Sequence, residues 1–239
     1  MYTVFSFLRP DPRKFGLPLP AVIPFLDSYS ELFYSVNSIY QHCILITSIC
    51  SAVGQFAVII VGIMTACCQI DAVKSILTSY NSMIADSTTS EKILTQELIE
   101  IIRLHSLVKN YVAKIQTKFG LLFLALFSCI GIVTAMCLNV VSYNLLSSST
   151  CLMLNCISTV LLFCSSGNYL LSVNDGLAQT IYDLDWHKLS ISNQKLFIFF
   201  LANAQPPARL HALLLPLDMS TFIKIMKASF SYFSILNQR

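Results

Sequence analysis

The sequence predicts an all-α integral membrane protein, with four transmembrane helices and a cytoplasmic helical bundle. Three observations carry this expectation. Only 11% of the 239 residues are charged and 55% are hydrophobic, against roughly 25% charged in an average soluble domain. Too few charges remain to cover the surface of a soluble protein of this size. No acidic residue, lysine or arginine falls between Glu31 and Asp71, or from Phe119 through Asn174. A bilayer core takes about 20 apolar residues per helix, so the first gap holds one span. The second holds two, joined by a turn at the polar stretch Ser142 to Thr150. Finally, all eight prolines lie in Pro10 to Pro24 or Pro206 to Pro216, which leaves the long interior free to be helical.

The elements then follow in order. Residues 1–37 form a loop-rich extracellular segment, and 38–66 the first span. Residues 67–118 are a polar connector of amphipathic helices. Ile70, Val73, Leu77, Tyr80 and Ile84 recur at helical steps, and so do Leu94, Leu98, Ile101, Val108, Val112 and Ile115, each set making one apolar stripe. Between the stripes, Thr88 and Glu91 stand in capping-box spacing. Such stripes must be buried on each other or on a partner subunit. Spans are expected at 119–141 and 151–174, then a partly polar anchor helix over 177–204. After the Pro-rich break comes the last span, 219–237. Alternating sides places nine Lys/Arg residues on the connector side and four on the other. Positive residues collect on the cytoplasmic side, so the connector is cytoplasmic and the C-terminus extracellular.

Several function classes drop out. No cation precedes the apolar run Val4 to Leu8 and no small-residue cleavage site follows it, so the N-terminus does not read as a signal peptide. The net charge of +3 is too weak to argue for nucleic acid. Seven of the nine cysteines lie in or beside apolar spans, where they behave as small hydrophobes. Cys67 and Cys68 sit at a span end, as an interfacial thiol pair or palmitoylation sites. Asp183, Asp185 and His187 in "YDLDWHK" have no second ligand cluster and read as a hydrogen-bonded cytoplasmic anchor. His105 reads as a packed or hydrogen-bonding histidine rather than a catalytic base. No phosphate loop, GxSxG elbow or HExxH is present, so neither an enzyme nor a cofactor or metal site is expected.

The last helix carries the functional signal. Ser220, Lys224, Lys227, Ser231, Ser234 and Gln238 step by fours and threes, which puts them on one helical face. Phe222, Ile223, Met226, Phe230 and Phe233 form the other. Snorkelling along their stems accounts for the two lysines, but not for the polar row continuing outward. Ionisable residues inside a span usually face a bundle interior or a water-filled path. The stripe therefore points to a pore or a polar subunit contact.

These residues resemble a known family. The run from Leu177 to Leu236 is similar to the C-terminal signature of insect odorant receptors. It has Tyr182 and Trp186 four apart, then a break at Gln205, Pro206 and Pro207. A helix start at Ser220, Thr221 and Phe222 follows, with a Lys-x-Ser-Tyr-Ser-like core at Lys227 to Ser231 in which Phe230 replaces the tyrosine. Upstream, "GLPLPAVIPF" with Tyr29, Tyr34 and Tyr40 resembles the loop before the family's fourth span, and "IRLHSLVKNYVAKIQTKFG" the helix leading into its fifth.

The resemblance implies the last four helices of a seven-span plasma-membrane receptor, with the first three lacking. It implies a subunit that joins a shared odorant co-receptor in a hetero-tetrameric, ligand-gated, non-selective cation channel tuned to small volatile odorants. The last helix would line the pore, with Ile235 at a hydrophobic gate and Gln238 near the outer end. Of the family's odorant cavity, the surviving spans offer Tyr40, Ile44 and Thr47, with Met153, Cys156 and Val160. Packing against neighbouring spans is the alternative for all six. Tyr182, Asp183, Asp185, Trp186 and His187 fall in the cytoplasmic anchor. Competing readings are an assembly-only isoform or gene fragment without odorant binding, and a gustatory receptor relative.

Overall fold

The computed structural model describes residues 31–86, 89–143, 148–213 and 215–237. Helix α1 is Glu31–Ala85, α2 is Glu91–Tyr143, α3 is Ser148–Tyr182 and α4 is Ile191–Ala204. Two-residue strands β1 (His211–Ala212) and β2 (Leu215–Pro216) precede the last helix, α5 (Met219–Asn237). At about 1.5 Å per residue, α1 and α2 are each roughly 80 Å long. That is more than twice the ~30 Å of a hydrocarbon core, so part of each must project beyond it. The lysine- and arginine-bearing stretches 67–85 and 91–118 carry no break from the apolar stretches of the same helices. Cys67, which is buried, and Cys68, which is exposed, lie within α1, where its apolar stretch passes into the lysine-bearing one.

The chain divides into two compact units, residues 1–59 and 60–239. In the first, the described part is the opening half of α1. There Asn37, Ser38 and Gln41 are buried, while Ile39, Ile46, Ile49, Val53 and Val58 are exposed. In the second unit α2 is the central element, packing against α3, α4, β1 and α5. Its core includes Ile63, Ile70, Leu77 and Tyr80 from α1, Leu98, Ile101 and Phe123 from α2, and Phe163, Leu170 and Leu177 from α3. Phe123 meets Phe163 edge-on at 5.5 Å. Both connector stripes are largely buried here. The Tyr80 hydroxyl donates to the Leu94 carbonyl at 3.2 Å, tying the end of α1 to the start of α2.

Two expectations are corrected. Glu91 is the first residue of α2, and the Ser90 carbonyl receives the Ile93 and Leu94 amides. Glu91 is therefore one position from the cap and not the three a capping box needs; Thr88 lies outside the described residues. The single helix expected over 177–204 is two helices, separated by residues 183–190 and a short 3-10 turn, Trp186–Lys188. Leu184 and Leu189 are buried in this break, and the Asp185 amide donates to the Asn81 side chain of α1 at 2.9 Å. Asp183, Asp185 and Ser190 are residues that favour turns and caps over helix interiors.

The link between α4 and α5 is a tight hairpin. His211 pairs with Pro216 and Ala212 with Leu215, and the Leu217 amide donates to the Leu210 carbonyl at 2.8 Å. Leu213 in its turn has φ 56°, the left-handed region that costs an ordinary residue about 1–2 kcal/mol. Among the described residues, α1, α2 and α3 are long and apolar enough to cross a bilayer. The fourth candidate, α5, is long enough at about 28 Å, but with two lysines among its 19 residues it is not one of the three helices apolar enough to cross.

Candidate functional site

The α5 helix starts at a built cap. The Asp218 carboxylate accepts the Thr221 amide and the Ser220 hydroxyl, both at 2.8 Å, and faces the positive end of the helix dipole. Burial works against its charge, yet these hydrogen bonds outweigh it and hold the carboxyl below the ordinary aspartate range.

One face of α5 packs on the bundle. Thr221 and Ser229 are buried and Ile225 half-buried. The Ser229 hydroxyl lies 3.1 Å from the Gly131 carbonyl of α2 and 3.0 Å from that of Ile225. A Cβ at Gly131 would sit 3.9 Å from the Ile225 and Ser229 side chains, an ordinary contact that marks where the two helices meet. The row in contact is Thr221, Ile225 and Ser229, whereas Ile223 and Phe230 are exposed and Phe222, Met226 and Phe233 half-buried. A small hydroxyl beside a glycine lets two backbones approach more closely than a phenylalanine does.

The polar row lies away from that face. Ser220, Lys224, Lys227 and Ser231 are exposed and Ser234 is half-buried, its hydroxyl bonded to the Phe230 carbonyl at 3.1 Å. Ile235 is 63% exposed, and Gln238 lies outside the described residues. Helix α5 thus has three faces: one packed on α2 and α3, one polar and open, and one apolar and more open.

The support beneath α5 was not foreseen. On α3, a Cβ at Gly167 would run into the carbonyl oxygen and Cβ of Leu217, so the chain entering α5 lies directly on the α3 backbone. On α2, the Gln116 side-chain amide donates to the His211 carbonyl at 2.9 Å and accepts the His211 amide at 2.7 Å. Lys109 donates to the Asn203 carbonyl at the end of α4, at 2.7 Å. The only sequence cue was the run of small residues Ser165, Ser166 and Gly167, which marks a close helix approach.

The anchor residues are found at the break between α3 and α4. Trp186 stacks on Phe197 at 6.1 Å and 13° and meets His187 edge-on. Lys188 pairs with Asp185 at 2.8 Å, Gln179 donates to Asp183 at 2.9 Å, and Tyr182 is exposed. Among the described residues no three His, Cys, Asp or Glu side chains gather as a metal site. His105 packs edge-on against Phe200 at 5.4 Å.

Of the odorant candidates, Tyr40 and Ile44 in the first unit are exposed. Thr47 there spends its hydroxyl on its own helix, at the Cys43 and Ile44 carbonyls. In the second unit Cys156 and Val160 are buried and Met153 is half-buried. None of the six lines either of two open cavities in that unit. One, of about 760 Å³, lies between α1 and α2 around Ile76, Leu107 and Tyr111. The other, of about 460 Å³, lies between α2 and α5 around Phe127, Ile132, Ile225 and Tyr232.

Long apolar helices, a bundle of their extensions and a final helix with an open polar row define a helical membrane protein. The 7tm odorant receptor family model matches residues 1–230, and the chain belongs to that family. It is 25% identical to odorant receptor 22a of Drosophila melanogaster over 221 residues, covering 90% of this chain and 52% of the relative. It is 25% identical to odorant receptor 22b of the same fly over 184 residues, 75% of this chain and 46% of the relative. The fold is similar to that of the olfactory receptor OR5 from Machilis hrabei, with a TM-score of 0.74 at 15% identity, covering 91% of this chain and 56% of that one. The OR5 structure in complex with eugenol gives 0.73 at 14% identity, covering 92% and 56%. The chain spans about half the length of the curated relatives it matches.

Proposed function

We propose that the chain is an odorant-tuned subunit of a ligand-gated, non-selective cation channel, assembled with an odorant co-receptor in the plasma membrane. In this reading the connector is cytoplasmic, the C-terminus extracellular, and α5 lines the ion path. The observation that carries it is the division of α5 into faces. The helix packs on α2 through Ile225 and Ser229 and also contacts α3, with Thr221 buried, and leaves the Ser220, Lys224, Lys227, Ser231 row uncovered. Lipid is a poor environment for that row, while a ring of such helices around water satisfies it. The exposed apolar side chains Ile223, Phe230 and Ile235 then face lipid, neighbouring subunits or, at Ile235, a hydrophobic constriction.

Small volatile ligands would bind chiefly by burial in an apolar cavity, with Tyr40, Ile44, Thr47, Met153, Cys156 and Val160 as the candidates. A second reading, an assembly module without its own odorant site, draws on the fact that these six line neither cavity described above. Co-expression with an odorant co-receptor separates the two. Cation current evoked by members of a broad odorant panel is the expected result. Co-purification with the co-receptor and surface delivery, but no response, favours the assembly module. Failure to associate at all removes both.

A further inference from the structure

We propose that Gln116 is a positioning residue whose side-chain amide clasps the α4–α5 hairpin to α2 and thereby fixes where the last helix begins. The consequence for gating rests on the channel reading above; the clasp itself does not.

The hairpin needs such a partner. His211 and Pro216 face each other across a two-stranded ladder, and the bond between the Leu217 amide and the Leu210 carbonyl marks the next pair as the hydrogen-bonded one. Bonded and non-bonded pairs alternate in an antiparallel ladder, so His211 and Pro216 form a non-bonded pair. Both main-chain groups of each then point outward, away from the other strand. Pro216 has no amide to leave unpaired. His211 has an amide and a carbonyl, and a primary amide side chain matches both at once, as a third strand would. Gln116 does this at 2.7 and 2.9 Å.

Its surroundings are cut to fit. Gly120, one turn further along α2, is buried, and a Cβ there would come within 2.9 Å of the Gln116 Nε2 and 3.4 Å of the His211 carbonyl. Lys109, two turns before Gln116 on the same face, holds the end of α4 by the Asn203 carbonyl. The strand that follows His211 ends at Ala212, which is fully buried, and the turn beyond it carries the left-handed Leu213. Leu217 closes the hairpin against Gly167, and Asp218 then caps α5. From Asn203 to Asp218 the linker has side-chain or backbone holds at both ends, and α2 supplies two of them. A displacement of α2 in the bundle is therefore delivered to the start of α5 rather than absorbed by a slack loop.

The test compares Gln116→Met and Gly120→Ala with Gln96→Met, which makes the same chemical change at an exposed position of α2. Amide hydrogen exchange is measured on the full chain in lipid nanodiscs, and odorant concentration–response curves on cells carrying the chain with a co-receptor. The His211 amide is expected to exchange about tenfold faster in the first two variants, with α2 and α4 unchanged and Gln96→Met like the parent. Half-maximal odorant concentration is expected to shift at least threefold in the same two. Gln116→Glu, which keeps the acceptor for the His211 amide, is expected to retain most of the protection. An unchanged His211 amide, or faster exchange spread over the whole chain, overturns the clasp. Local loss of protection with an unaltered response overturns the link to gating. If the parent chain passes no current, the channel reading fails with that link, and exchange alone decides the clasp.

Discussion

Replacing Gly167 by valine is expected to prevent the protein from reaching the membrane surface in folded form. The position admits no side chain, because the first added carbon meets the carbonyl oxygen and Cβ of Leu217. Backbone cannot rotate aside as a side-chain tip can, so α3 and the start of α5 must separate. Overpacking a core by a methylene or two usually costs 1–3 kcal/mol; a collision with main chain at the root of a helix belongs at or above the top of that range. Asp218, the next residue, would be pulled from its place as cap, and its loss adds roughly 1 kcal/mol. Gly54→Ala is the matched control, since a Cβ there meets nothing within 4 Å and alanine favours helix over glycine by up to about 1 kcal/mol. Thermal unfolding in detergent, read by size-exclusion fluorescence, should show Gly54→Ala at or above the parent and Gly167→Val lost or far below it. Equal behaviour of the two would show that α3 and α5 do not meet in this way.

The second large effect concerns charge. Lys224 and Lys227 are exposed on the open polar row. An ion passing about 8 Å from one ammonium in water feels roughly 0.5 kcal/mol of repulsion, so reversing the sign of one lysine changes its energy by about 1 kcal/mol. That corresponds to roughly fivefold in local cation occupancy for each reversed charge, and several copies around one path compound it. Lys224→Glu and Lys227→Glu are therefore expected to raise conductance and cation selectivity. The increase should be largest at low ionic strength, because salt screens charges in open water. Equal reversal potentials and conductances in parent and variants at low salt would place these lysines away from the ion path.

The parts of this molecule that were legible in its sequence are those written in long repeats. The charge-free gaps mark the apolar parts of α1, α2 and α3, and the stripes from Ile70 and from Leu94 mark the faces they bury, because burial of one helical face imposes a period on the sequence. The polar row of α5 was visible for the same reason. What the sequence hid is made of single contacts between distant residues. Gln116 and His211 are far apart in the chain, and a glutamine one turn before Gly120 looks like any solvent-facing residue. The hairpin has no turn signal, since its left-handed position is held by Leu213 rather than by glycine or asparagine. The packed face of α5 was not visible in the sequence, because its row is Thr221, Ile225 and Ser229, of which one is apolar, and Ser229 is bonded to the Gly131 carbonyl. The break at 183–190 was missed because Leu184 and Leu189 continue the apolar pattern through it.

Thiol accessibility along α5 tests the central claim most directly. Cysteines at Lys224, Ser231 and Ser229 are placed one at a time, with the parent's response to the reagent subtracted for its native cysteines, and a charged, membrane-impermeant thiol reagent is applied while current is recorded. Rapid modification and altered current are expected for Lys224→Cys and Ser231→Cys, and neither for Ser229→Cys, which faces Gly131. Equal reactivity at all three positions, or modification at 224 and 231 that leaves the current unchanged, would contradict that claim.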